Sequence, residues 1–208
     1  MYRMNKKDLL LTLPILSFLW FTATIVIGGL FYPDYNNFSQ FISELGATGS
    51  PYGNYVNYLG FLPTELFILA FVLICSSVIP RTKANFIGLF FIGLYGVTLI
   101  VAAFFPCDYE CRPIEPSISH NIHMISAFPG YLSGIISIIV ISSASSGWAR
   151  SQMFTVFSYI LGILCIYAFL NLDPKSEFVG IIQRSLDLMI YLWFLYFAYH
   201  LRRFYSET

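Results

Sequence analysis

The sequence predicts an all-α, polytopic integral membrane protein: a bundle of six transmembrane helices with both termini on the cytoplasmic side. Three observations carry that prediction. The composition is 57% hydrophobic and 11% charged, with a mean hydropathy of +0.71, whereas soluble domains carry roughly 25% charged residues. Six stretches reach the roughly 20 apolar residues that a bilayer crossing needs. Lysine and arginine gather on one side of those crossings. A fold of 208 residues leaves a large share of its surface exposed, so the solvent of this chain is partly lipid.

The spans run over Leu9–Phe31, Tyr58–Ile79, Ala84–Phe105, His120–Ser142, Met153–Leu170 and Val179–Leu201. The first follows the charged run "MYRMNKK". Its apolar stretch is too long for a secretory signal, and no small-x-small cleavage site follows, so it is expected to stay as an anchor. Polar turns bound the other spans: "YPD" after the first, "PRTK" between the second and third, "SSASSGWARSQ" between the fourth and fifth, and "LDPKSE" before the sixth.

Orientation follows from the basic residues. An even number of spans puts Arg3, Lys6, Lys7, Arg81, Lys83, Arg150, Arg202 and Arg203 on one side, expected to be the cytoplasm. The other side carries Arg112, Lys175 and Arg184 with the acids Asp34, Glu44, Asp108, Glu110, Glu115, Asp173 and Glu177. The expected location is the cell membrane, with three loops facing outside or the periplasm. No internal repeat is visible, and one domain is expected. Net charge is zero and no basic block points to nucleic acid; membrane lipids are the expected partners.

Reactive residues concentrate in "PCDYECRPIEPSISHNIH", Pro106–His123, the second outer loop and the start of the fourth span. His120 and His123 are three apart and share a helical face. Ionisable groups within spans are costly and turn to the bundle interior to find partners; Glu65, Arg184 and Asp187 are such groups. In the first outer loop "FISELG" has helical spacing, predicting a short interfacial helix ended by Gly46. Together these residues predict a polar pocket in the outer third of the membrane.

Each residue admits two readings. His120, His123 and Asp108 suit a divalent metal such as zinc that activates water, or histidines that pin the loop. Arg184 suits an anionic headgroup, or forms an i, i+3 ion pair with Asp187. Glu65 is a candidate general base, or a hydrogen-bonding partner of His123 or Arg184. Cys107 and Cys111 are placed for a local disulfide in an oxidising compartment, while Cys75 and Cys165 lie within spans as packing residues.

The run "YPDYNNFSQFISELGATGSPYG", followed by "FPCD" and "HNIH", resembles the bacterial and archaeal membrane proteins grouped as domain of unknown function 998. The resemblance covers about Thr12 to Arg202 and implies a multi-helix membrane protein with no assigned activity. Ser43, Glu44, Asp108, His120 and His123 match the family pattern directly. A looser similarity is to the alkaline ceramidase and progestin-type receptor superfamily of membrane hydrolases. That similarity implies a serine, an aspartate and three histidines around zinc near one membrane face. The chain departs from it with six spans rather than seven and two histidines on that side.

The expectation is an intramembrane hydrolase acting on a lipid or amphiphile. Its catalytic candidates are Glu65, Asp108, Ser43 and Glu44; Arg184 and Asp187 would bind substrate, and His120, His123 and Asp108 would hold a metal. The alternative is a carrier, lipid-binding protein or partner subunit in which the same residues form a structural polar network.

Overall fold

The computed structural model describes residues 5–149 and 151–207. Arg3 and Arg150, used above for orientation, lie outside the described residues. Among the described residues there is no strand. Six helices are long and apolar enough to cross a membrane: α1 (Lys6–Leu30), α2 (Gly53–Ser76), α3 (Lys83–Phe104), α4 (Ile118–Ser143), α5 (Gln152–Leu170) and α6 (Val179–Glu207). They pack in chain order as a ring, each against the next, and α6 closes the ring against α1. The short connections and both ends of the described chain, Asn5 and Glu207, lie at one end of the bundle. The connections over 31–52, 105–117 and 171–178 lie at the other, the long-loop end.

Local chemistry sets the helix starts. Asn5 caps α1 through Asp8 N–H, Thr82 caps α3 through Asn85 N–H, Ser117 caps α4 through His120 N–H and Ser151 caps α5 through Phe154 N–H. Each side-chain oxygen satisfies an N–H that a helix start leaves unpaired.

Helix α2 starts at Gly53, five residues before the span read from the sequence, and passes through a π-helical stretch at Val56–Phe61. The polar residues there hid it. Asn57 is 4% exposed, and its amide donates to the Gly46 carbonyl at 2.8 Å. Pro63 follows the stretch and has no N–H for the Leu59 carbonyl. The Trp20 indole of α1 donates to that carbonyl instead, at 2.8 Å. The α3–α4 seam is tight: a Cβ on Gly88 would run into the Ile141 side chain.

Toward the end that carries the termini the ring is filled with rings. Trp193 stacks on Phe197 with centroids 5.3 Å apart, and Phe71, Phe154 and Trp148 pack beside them, all within 2% of complete burial. Toward the long-loop end the interior is polar.

Over that end lies the first long loop. The "FISELG" segment makes one 3-10 turn, Ile42–Gly46, rather than a longer helix. Gly180, in the first turn of α6, lets this loop sit directly on the helix. A Cβ there would lie 2.6 Å from the Asn37 carbonyl and 2.8 Å from that of Phe38.

Candidate functional site

A cavity of about 70 Å³ opens inside the ring beneath the 3-10 turn. Phe21 of α1, Asn57, Phe61 and Glu65 of α2, Tyr95 and Leu99 of α3, His123 and Tyr131 of α4, and Gln183 and Asp187 of α6 line it; Ile42, Ser43 and Gly46 roof it. At roughly 10–15 Å³ per water, it holds a handful of water molecules. It lies deeper than the sequence predicts. Glu65 stands twelve residues from Gly53, about 18 Å along the axis at 1.5 Å per residue.

Glu65 is the unusual group. It is 4% exposed, and its Oε2 is buried with no hydrogen-bond partner. An unpaired buried polar atom costs about 1–3 kcal/mol, and among the described residues no protein group offsets that cost at Glu65 Oε2.

Asp187, 3% exposed, is held by a directed chain. Ile42 N–H donates to Gln183 Oε1 at 2.6 Å, Gln183 Nε2 donates to the Tyr131 hydroxyl at 3.0 Å, and that hydroxyl donates to Asp187 Oδ2 at 3.2 Å. The roof and the acid are thereby coupled. Gln183 and Tyr131 escape a sequence reading that searches for charge; the one signal is their place on interior faces, four before Asp187 and eight after His123.

His123 lies between this cavity and a second of about 50 Å³. Its Nδ1 sits 3.0 Å from the Ala102 carbonyl and 3.1 Å from the Phe105 carbonyl. Carbonyls only accept, so Nδ1 carries the proton, and Nε2 of the neutral ring carries the lone pair.

His120 is oriented the other way. Its Nδ1 accepts from Asp108 N–H at 3.3 Å. Asp108 is outside the cavity, its two oxygens accepting from Ser117 N–H at 2.8 Å and Ser117 Oγ at 2.7 Å. The Ser117 N–H, then its hydroxyl, hold the Asp108 carboxyl below its usual range. Asp108, His120 and His123 therefore do not converge as metal ligands, and among the described residues no group of three His, Cys, Asp or Glu is placed to hold a metal. The donor set does not fit zinc.

Glu44 also lies off the cavity. It is fully buried and accepts from Phe41 N–H at 2.9 Å and Gln40 Nε2 at 2.8 Å, with Arg112 Nη1 at 3.1 Å. Burial pushes its carboxyl up, opposed by those contacts. Arg112, read from the sequence only as an outer-side cation, also donates to the carbonyls of Ser39 and Pro174 at 2.8 Å each. One guanidinium thus clasps all three long loops.

Arg184 does not pair with Asp187. Its Nη1 donates to the carbonyls of Asn37, Gln40 and Gly180 at 2.9, 3.0 and 2.9 Å, and its Nη2 to the Tyr35 hydroxyl at 2.6 Å. Burial raises the Tyr35 hydroxyl to about 12, against the pull of Arg184. A guanidinium so engaged anchors the first loop rather than a headgroup.

Ser43 lines the cavity, with its Oγ 3.4 Å from Cys111 Sγ. Cys107 and Cys111 are joined in a disulfide with Cα atoms 5.1 Å apart. Cys107 O accepts from Thr48 N–H at 2.8 Å, tying the second loop to the first.

A family model described as "Protein of unknown function (DUF998)" matches residues 15–200. The chain belongs to this family. This DUF998 member is a multi-pass membrane protein whose family region contains every residue of the cavity. No curated protein and no solved structure matches the chain.

Proposed function

We propose that this DUF998 member is an intramembrane hydrolase that works by acid–base chemistry on the polar end of a lipid or other amphiphile. The observation that carries the reading is the unpartnered Glu65 Oε2 in a small cavity shared with Asp187 and His123. Two acids and an imidazole lone pair in one small space supply what hydrolysis needs. Glu65 takes the proton of a water as its oxygen bonds to the acyl carbon. The bond to the leaving group then breaks as that group receives the proton that Glu65 took from the water, which returns Glu65 to its starting state, while Asp187 and Tyr131 hold the polar head in place. Such positioned proton transfers are worth about 10²–10⁴-fold each.

The lining contains no lysine or arginine, which argues for a neutral head rather than a phosphate. On the lipid side of the α1–α2 seam lies an apolar groove of about 540 Å³, lined by Trp20, Ile27, Phe31, Tyr55 and Leu59 among others. The π-helical stretch of α2 forms a wall of both spaces, and π stretches recur at functional sites. An amphiphile with its chain in the groove would bring its head beside Phe21 and Phe61. We place this end outside the cell, on the support of Lys6, Lys7, Arg81, Lys83, Arg202 and Arg203 at the opposite end.

The test is release of a fluorogenic acyl group from a monoacylglycerol ester in vesicles. Wild type should release it, undiminished by EDTA, and Glu65→Gln should not. No release, or release lost to EDTA, overturns the reading. The cavity volume favours a second reading, in which the residues bind a small polar group without turning it over, as in a carrier, lipid-binding protein or partner subunit. Tight binding of the probe without release would support it.

A further inference from the structure

Tyr95 of α3 is a buried polar group that the proton transfers leave unused. It is 1% exposed and lines the cavity, and its hydroxyl has no hydrogen-bond partner among the described residues. Tyr131, by contrast, is committed on both sides, accepting from Gln183 and donating to Asp187. Close approaches fix where Tyr95 stands. A Cβ on Gly96, the next residue, would lie 3.6 Å from the Glu65 carbonyl oxygen, so α3 meets α2 at the level of Glu65. A Cβ on Gly134 of α4 would lie 3.1 Å from Tyr95 Cδ2, and Phe194 of α6 meets the Tyr95 ring edge-on with centroids 5.6 Å apart. The ring is therefore held from α4 and from α6. Glu65, Asp187, Tyr131 and Tyr191 are its titratable neighbours. Glu65 Oε2 is itself without a partner, so a free donor and a free acceptor face one small space without bonding each other.

We propose that Tyr95 is the oxyanion donor of this cavity, and that the substrate is an acyl ester or amide whose carbonyl oxygen takes its hydrogen bond. The inference rests on the hydrolase reading above and names a catalytic residue that reading lacks. As the water oxygen bonds to the acyl carbon, the π pair of the C=O bond moves onto the carbonyl oxygen. The Tyr95 O–H donates to that oxygen and keeps its own proton. When the pair returns, the bond to the leaving group breaks, and that group departs with the proton Glu65 took. A donor already aimed at the site of developing charge costs no reorganisation at the moment of reaction. Packing against Gly134 and Phe194 supplies that fixed aim.

The test is Tyr95→Phe against wild type, full chain in vesicles, with the fluorogenic monoacylglycerol ester and with kcat and KM scored separately. Phenylalanine keeps the ring and its packing and removes only the hydroxyl. Two further readouts are Tm and the affinity for a trifluoromethyl ketone of the same acyl chain, whose hydrate mimics the tetrahedral intermediate. Loss of one oxyanion donor costs about 10²–10³-fold in kcat, so kcat should fall by that factor with KM unchanged. The ketone should bind more weakly by a similar factor, because it resembles the transition state rather than the substrate. Tm should not fall, since the hydroxyl has no partner to lose. Turnover equal to wild type, a loss confined to KM, or a fall in Tm that accompanies the loss would overturn the role of Tyr95 and leave hydrolysis standing. No release by the wild-type chain would overturn hydrolysis itself, and this role with it.

Discussion

The Tyr131 hydroxyl donates to Asp187 Oδ2 at 3.2 Å while it accepts from Gln183 Nε2 at 3.0 Å. A hydroxyl has one proton, so the accepted bond from Gln183 fixes the direction of the donated one. Asp187 is thereby held as an acceptor, facing a cavity where Glu65 has an oxygen with no partner. One acid is positioned and one is left open, a division of roles suited to proton transfer.

Tyr131→Phe breaks this chain at its centre. It strands the Gln183 amide and removes the donor to Asp187, each in a buried site. The expected cost is about 1–3 kcal/mol, read as a lower Tm in detergent, with turnover of the acyl probe falling at least tenfold.

Arg112→Ala removes the clasp on the three long loops and leaves Glu44 fully buried without its cation. Removing one partner of a buried pair is strongly destabilising; with Arg112 itself 29% exposed, about 2–3 kcal/mol is expected. Limited proteolysis should cut within 105–117 or 171–178 before it cuts elsewhere. Arg112→Lys should not rescue, because an ammonium cannot hold a carboxylate and two carbonyls in the fork geometry.

Much of this was legible in the sequence, and the limits are physical. The spans were visible because twenty apolar residues have no other stable use at this density. The start of α2 was not, because Asn57 reads as a loop residue until its buried bond to Gly46 is seen. Glu65, Asp187 and His123 were found because charge within a span is rare. The metal site was expected because H-x-x-H shares a face, but a shared face does not set which nitrogen points inward; the carbonyls of Ala102 and Phe105 do that. Arg184 was matched to Asp187 by helical spacing, whereas the first loop, folded back over α6, offers its guanidinium three acceptors, Tyr35, Asn37 and Gln40. Loop paths of this kind leave no periodic signal.

Gly180→Ala puts a methyl group against the Asn37, Phe38 and Gln40 carbonyls. Backbone cannot give way as a side chain does, so the loop must lift. We expect a loss of about 1–3 kcal/mol and faster proteolysis at 31–41, with α6 still formed.

Acid pH should loosen the second loop through Asp108. Its carboxyl is held below its usual range by Ser117, so the folded state binds its proton less readily than the unfolded chain. The contribution is therefore complete above about pH 4, the unfolded value, and is lost as pH falls through the depressed folded one. Hydrogen exchange of Ser117 and His120 amides should rise across that window in wild type and be flat with pH in Asp108→Asn.

The most direct measurement is a paired one on Glu65→Gln: turnover of the acyl ester probe and Tm, on the same preparation. A carboxyl kept for chemistry, with an oxygen lacking any partner, should be dispensable for folding. The account predicts a 10²–10⁴-fold loss of turnover with Tm equal to or above that of wild type. A lower Tm with turnover retained would show that Glu65 is a structural partner and would contradict the account.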